Sequence, residues 1–264
     1  MNFKIKFKKF NWCLFFSGLI NKPKSGMNLK NYNFSNYKVI KTPTSWKNAD
    51  LSFSYGLHGN INFQSFDKLN LSYVNFRNVT SIKFNPYATE INLSWTEGLY
   101  GQLEFSCVGK VSLCNADMTT VFKLHGAKET NLKNAQGLVG FLDFKDTYYL
   151  NMSGTDVSNA KLRFNPNAKK INLINVKGLS GVLDFGNTER IVLFGADLSN
   201  VTKIICGPNT DLIGVANFAG KIEFSTSKQL SQKIAGTKSI YRHQARNEAL
   251  KRLHTLRQIT GKHK

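Results

Sequence analysis

The chain has 264 residues, 41% of them hydrophobic and 12% aromatic, and a formal net charge of +20. That apolar content can build a packed core. No run approaches the ~20 apolar residues of a membrane-spanning helix, and four cysteines without a CxxC pair exclude a dense disulfide framework. The charge sits at the ends: residues 1–50 hold ten Lys and one acid, residues 225–264 hold ten Lys or Arg and one acid, and the body between them is nearly neutral.

Residues 1–50 begin with a Lys-rich stretch and continue into a short apolar one, residues 12–20. Basic followed by apolar resembles a signal peptide, but Asn11 opens the stretch and no small-X-small cleavage site follows. The segment reads first as a basic cap in which Phe10, Trp12, Phe15, Phe16 and Tyr37 cover the first coil, with a targeting segment as the alternative. A targeting segment would place the chain outside the cell. Cys206, standing where sister repeats hold Phe, fits a buried thiol in a reducing, cytoplasmic compartment.

From residue 51 to 224 the chain repeats. Gly-Leu-X-Gly recurs at Gly56, Gly98, Gly137 and Gly178, spacings of 42, 39 and 41. Triplets with apolar residues flanking one outward residue begin at 61, 69, 82, 91, 103, 111, 122, 130, 142, 150, 162, 171, 183, 191, 204, 212 and 222. Short and long steps alternate, giving coils of about 20 residues with two short strands each. This predicts an all-β solenoid, leucine-rich-repeat-like or a parallel β-helix, of about eight coils.

Period-two alternation turns the outer pair of each triplet inward and the middle residue outward. Stacking then makes two columns. The first contains Lys83, Glu104, Lys123, Asp143, Arg163 and Asp184, whose signs alternate. It reads as a structural charge ladder: each exposed pair contributes only about 0–1 kcal/mol, but a slipped coil would set like against like. The second contains Asn70, Asn92, Ser112, Asn131, Asn151 and Asn172. Asn is poor in strands, so its recurrence suggests an amide ladder of the kind stacked β structures use. The five asparagines are also the candidate partner-binding residues of a flat β-face.

The turns carry residues suited to them. Gly-Leu-X-Gly supplies positive φ at one corner, and Asn85-Pro86, Asn165-Pro166 and Gly207-Pro208 mark an equivalent corner in other coils. The segments at 116–120, 155–159 and 196–200, each with Asp second, are assigned to the remaining corner. Alternating coil types explain a full period of about 41.

Leu198-X-X-Val201-X-X-Ile204-X-Cys206-X-X-Asn209 resembles the leucine-rich-repeat pattern. Ile82-Lys83-Phe84-Asn85-Pro86 and Leu162-Arg163-Phe164-Asn165-Pro166, followed by Ile91-Asn92-Leu93 and Ile171-Asn172-Leu173, resemble its BspA-like branch. The coils are shorter than that family's, Phe or Ile often replaces Leu, and the branch's Ala-Phe and Cys positions are missing. The resemblance implies a surface or secreted binding protein of a host-associated microbe.

After residue 224 the pattern stops. Leu230 and Ile234 suit a short helix, and Ala249, Leu250, Leu253, Leu256 and Ile259 recur at helical spacing. Arg242, Arg246, Lys251, Arg252 and Arg257 line the other face. Residues 225–264 therefore read as a basic amphipathic helical tail. It either caps the solenoid or binds an anionic partner, nucleic acid or membrane.

No chemistry declares itself. His58, His125, His243, His254 and His263 lack metal-ligand spacing, and there is no nucleotide-binding or hydrolase motif. No cofactor is expected. The leading expectation is a non-enzymatic solenoid that offers a flat β-face to a protein or glycan. The alternative is an effector or toxin-like protein acting through its basic tail. A carbohydrate-active β-helix using Asp143 and Asp184 stands third.

Overall fold

The structure is a computed structural model that describes residues 13–15, 27–35, 39–41, 47–215 and 218–224. The chain divides at Glu223/Phe224 into two units. Only Phe224 of the second unit is among the described residues, so the tail helix and its five basic residues lie outside them. The signal-like stretch of residues 1–20 is described only at 13–15.

The first unit is an all-β parallel solenoid. One side is an unbroken ten-stranded sheet: β2 (Met27–Asn28), β4 (Asn48–Asp50), β6 (Lys68–Asn70), β8 (Glu90–Asn92), β10 (Lys110–Ser112), β12 (Glu129–Asn131), β14 (Tyr149–Asn151), β16 (Lys170–Asn172), β18 (Arg190–Val192) and β20 (Asp211–Ile213). The other side is three shorter sheets. The first holds β1 (Cys13–Phe15), β3 (Val39–Lys41), β5 (His58–Phe63) and β7 (Asn78–Phe84). The second holds β9 (Tyr100–Glu104), β11 (Thr120–His125), β13 (Val139–Asp143) and β15 (Asn159–Arg163). The third holds β17 (Ser180–Asp184), β19 (Asn200–Cys206) and β21 (Lys221–Phe224). β2 and β4 pair with the repeat in parallel register, so the solenoid begins before residue 51 and the long sheet has more rungs than eight coils supply.

Alternation places each apolar pair inward. Leu51, Leu71, Leu93, Leu113, Leu132, Met152, Leu173 and Leu193 form one buried column. Phe63, Phe105, Phe144, Phe164 and Phe185 belong to another, closed by Cys206, which is fully buried. Burial pushes that thiol up to about 12, helped by the nearby Asp184 charge. Each fully buried aliphatic or Phe side chain contributes roughly 1.5–3 kcal/mol. The Phe column bridges both gaps between short sheets: Phe84–Phe105 at 5.5 Å and Phe164–Phe185 at 4.9 Å.

A third side is stitched by single parallel bridges, Asn33–Tyr55, Asn75–Glu97, Asp117–Gln136 and Asp156–Lys177. They show why the full period is 41. In one coil an Asn or Asp oxygen accepts the N–H two residues on, as Asp117 does from Thr119 at 3.0 Å and Asp156 from Ser158 at 2.9 Å. In the next coil a glycine lies on that turn. A Cβ on Gly178, at φ +74°, would come within 2.4 Å of the Ser158 nitrogen. The Gly-Leu-X-Gly and Asp-bearing segments therefore share one corner in alternate coils, not two different corners. The tight stacking of the turn forces the alternation.

Buried hydroxyls donate back to the turn. Thr96, Thr155 and Thr188 each reach the carbonyl three residues earlier at 2.7 Å. Thr130, the polar residue that opens its triplet, donates to Ala127 at 3.1 Å. Thr147 Oγ1 is buried without a hydrogen-bond partner among the described residues. An unpaired buried hydroxyl costs about 1–3 kcal/mol. Thr147→Val is therefore expected to raise the melting temperature while Thr188→Val lowers it, in parallel thermal unfolding by circular dichroism.

Candidate functional site

On the short-sheet side the register corrects the charge ladder. Glu104 pairs with His125, His125 with Asp143, and Asp143 with Arg163. Lys123 stands opposite Gln102 and Phe141 instead. At the one-residue bulge that β7 and β19 carry as Thr80 and Thr202, β11 carries Phe122. Its exposed ring imitates the first member of an apolar triplet, which shifts the triplet by two. The sequence signal was the true triplet, Leu124-His125-Gly126, with Gly126 in the Phe column against the Phe144 ring.

The column is also cut. β7 and β9 are not hydrogen-bonded to each other, nor are β15 and β17, so the steps Lys83 to Glu104 and Arg163 to Asp184 cross sheet boundaries. A cleft of about 440 Å³ opens at the second boundary, lined by Arg163, Pro166, Leu179, Val182 and Asp184 among others.

The middle segment is tightly bound. His125 Nδ1 lies 2.5 Å from Glu104 and Nε2 lies 3.1 Å from Asp143. The two ring nitrogens therefore face two carboxylates from neighbouring coils. Arg163 donates to both oxygens of Asp143, at 2.8 and 2.5 Å, and Asp143 is buried. Burial raises the Asp143 pKa, but the Arg163 hydrogen bonds, the Lys145 N–H and the Arg163 and His125 charges outweigh it and hold the carboxyl below its ordinary value. Glu104 is also lowered: its burial is outweighed by bonds from Ser106 and by His125.

Sign alternation has a second cause in the turns. Glu104, Asp143 and Asp184 each accept the backbone N–H two residues on, from Ser106, Lys145 and Gly186. In the coils that carry Lys83 and Arg163, Asn85 and Asn165 do that work, two residues later. The acid is the turn's own cap, and the base belongs to coils capped elsewhere.

On the ten-stranded side the asparagine column is in register from Asp50 through Asn70, Asn92, Ser112, Asn131, Asn151 and Asn172 to Val192. Asn92 donates to Asn70 and Asn70 to Asp50, each at 3.0 Å. The side-chain oxygens of Asn70, Asn92, Asn131, Asn151 and Asn172 also accept the N–H two residues on. These side chains hold the turn and half-face the solvent.

A neighbouring column escaped the sequence reading. Lys68, Glu90, Lys110, Glu129, Tyr149, Lys170, Arg190 and Asp211 stand in register on the same outer face. Lys110 approaches Glu90 at 3.9 Å and Arg190 bonds Asp211 at 2.9 Å. The signal was one residue to the left: the position before each triplet also points outward. Two shallow grooves run over this face, one of about 520 Å³ along Asn48, Lys68, Asn70, Glu90 and Asn92. The other, about 250 Å³, lies along Lys110, Glu129, Asn131, Tyr149 and Asn151.

At the edge of the face, each coil turns through a residue with positive φ. Most are Asn or Gly: Asn31, Asn115, Asn134, Gly154, Asn175, Gly195. Phe53, Tyr73 and Trp95 hold that conformation at φ 59°, 60° and 61°. For a bulky residue this costs on the order of 1–2 kcal/mol. The rings stack, Phe53 on Tyr73 at 4.4 Å and Tyr73 on Trp95 at 5.7 Å, and Lys30 lies 5.2 Å over Phe53. Stacking returns about 0.5–1.5 kcal/mol per pair. The rings are still 43%, 47% and 50% exposed. Three Leu-Ser-aromatic steps, at 51, 71 and 93, were the sequence signal.

Among the described residues, no group of three His, Cys, Asp or Glu side chains is arranged to hold a metal ion. Comparison with known proteins gave no match: no family model, no curated protein and no solved structure is similar to this chain.

The Asp143 cluster makes two outcomes measurable. Arg163→Glu sets a carboxylate against a buried one and is expected to destabilise the fold by about 3–5 kcal/mol in denaturant unfolding. Asp143 has a lowered folded pKa, so its contribution is present above its ordinary ionisation range and lost as the pH falls through it. The parent should lose stability below about pH 4, and Asp143→Asn should be less stable at neutral pH with a flatter acid limb.

Proposed function

We propose that this chain is a binding protein that catalyses no reaction of its own and takes a protein or glycan partner on the outer face of the ten-stranded sheet. The observation that carries this reading is the face itself. Ten rungs are unbroken, their outer side chains stand in register, and shallow grooves cross them. A flat, rigid surface with repeated amides and paired charges suits an extended partner. The BspA-like resemblance of the repeats supports a surface or secreted setting for such a protein. A catalytic role for Asp143 is disfavoured by its commitments: it is buried, and Arg163, His125 and the Lys145 N–H use its oxygens.

The basic tail supplies the second reading, in which Arg242, Arg246, Lys251, Arg252 and Arg257 hold nucleic acid or an anionic surface. Its support is the charge of residues 225–264, ten Lys or Arg against one acid. Two variants of the full chain separate the readings. One changes Lys110 and Lys170 to Glu on the face, and the other changes the five tail residues to Gln. Affinity capture is expected to lose the partner with the face variant and keep it with the tail variant. Loss with the tail variant alone, steepening with salt, would transfer the function to the tail.

A further inference from the structure

The aromatic stack at the corner of the sheet ends abruptly. Phe53, Tyr73 and Trp95 occupy three successive coils, and the column then continues as Asn115 and Asn134. At the other end Lys30 lies over Phe53. Between them the Tyr73 ring is covered on both faces, by Phe53 at 8° and Trp95 at 5° between planes. Among the described residues, the face of Trp95 that looks toward Asn115 is the one ring face of the stack that no ring or cation covers. The indole is half exposed.

We propose that this face of Trp95, with the side-chain amides of Asn115 and Asn134 beyond it, is a seat for one sugar ring of an uncharged glycan. The inference rests on the binding reading above and names its ligand class. A pyranose has an apolar C–H face that lies on an indole, and a rim of hydroxyls that pairs with amides. The column spacing suits this: stacked rings here repeat at 4.4–5.7 Å, so a sugar above Asn115 takes the place of a fourth ring. Asn115 has only a short side chain to fill that place. Of the corner residues 114, 115, 133 and 134, three are uncharged, so ring stacking and amide–hydroxyl pairing are the contacts this corner offers. Backbone strain is retained where function uses it. Asn satisfies the same backbone at four other coils, Asn31, Asn115, Asn134 and Asn175, so an aromatic is not needed there for folding.

The test uses the full chain and immobilised cellulose, chitin, xylan and mannan. The parent is expected to be retained by at least one, and Trp95→Asn to weaken that retention about tenfold or more. Trp95→Phe should keep part of it. Trp95→Asn should melt at or above the parent, because it installs the residue that the column already uses at Asn115, Asn134 and Asn175. The proposal is overturned if the parent is retained by none of the four, or if Trp95→Asn keeps parental affinity. It also fails if that variant melts lower by more than about 4 °C, which would make the ring structural. Loss of retention in the Lys110→Glu, Lys170→Glu variant with Trp95→Asn unaffected would leave the sheet face standing and remove this seat. A protein partner lost only with Trp95→Asn would replace the glycan and so refute it.

Discussion

Parallel, in-register stacking is the constraint on which everything else in this protein depends. Neighbouring strands lie ~4.8 Å apart, so every residue meets its equivalent from one coil earlier and one coil later. A residue type that cannot tolerate its own neighbour is excluded from its column. Phe beside Phe, Asn beside Asn and acid beside base are the compatible solutions. The Phe column, the asparagine column and the paired charges are three expressions of one rule.

The same rule produces the doubled period. A turn capped by Asn or Asp cannot stack on a copy of itself with a bulky residue at the contact. Gly178 approaches the Ser158 backbone too closely for any side chain. Capped turn and glycine turn therefore alternate, and the charges follow. An acid that caps its own turn sits between coils capped by Asn85 or Asn165, which leave the equivalent place for Lys83 or Arg163. What looks like electrostatic patterning along the column begins as backbone capping and is then used for pairing.

Two sides of the solenoid behave differently. The ten-stranded side runs without interruption, and among the described residues it is the sheet with the most strands. The other side is cut twice, with the Phe column continuing beneath both cuts. Uninterrupted pairing makes the first side rigid and suited to presenting a surface. The aromatic corner borders that side, so a ligand on Trp95 would also reach the sheet face. His125 joined to Glu104 and Asp143, with Asp143 joined in turn to Arg163, ties four coils of the interrupted side into one block.

Much of this was legible in the residues. The period, the inward and outward alternation, the asparagine column and the two basic ends are local patterns, and local patterns survive without coordinates. The amides at 70, 92, 131, 151 and 172 could be aligned because the strands that carry them have equal lengths. His125 could not, because an extra residue in a strand looks like any other residue until the partner strand shows which position it skips. Phe122 is apolar, and only the β9–β11 register reveals it as the extra residue. The sequence by itself determined that coils of about 20 residues would stack and which residues would fill their interior, because hydrophobic periodicity acts within a few residues. The tertiary structure alone decided where the second side breaks, that His125 and not Lys123 joins the carboxylates, and that Phe53, Tyr73 and Trp95 share one stack. Those outcomes depend on how residues some twenty positions apart line up across coils, and register is a property of the pairing, not of either strand.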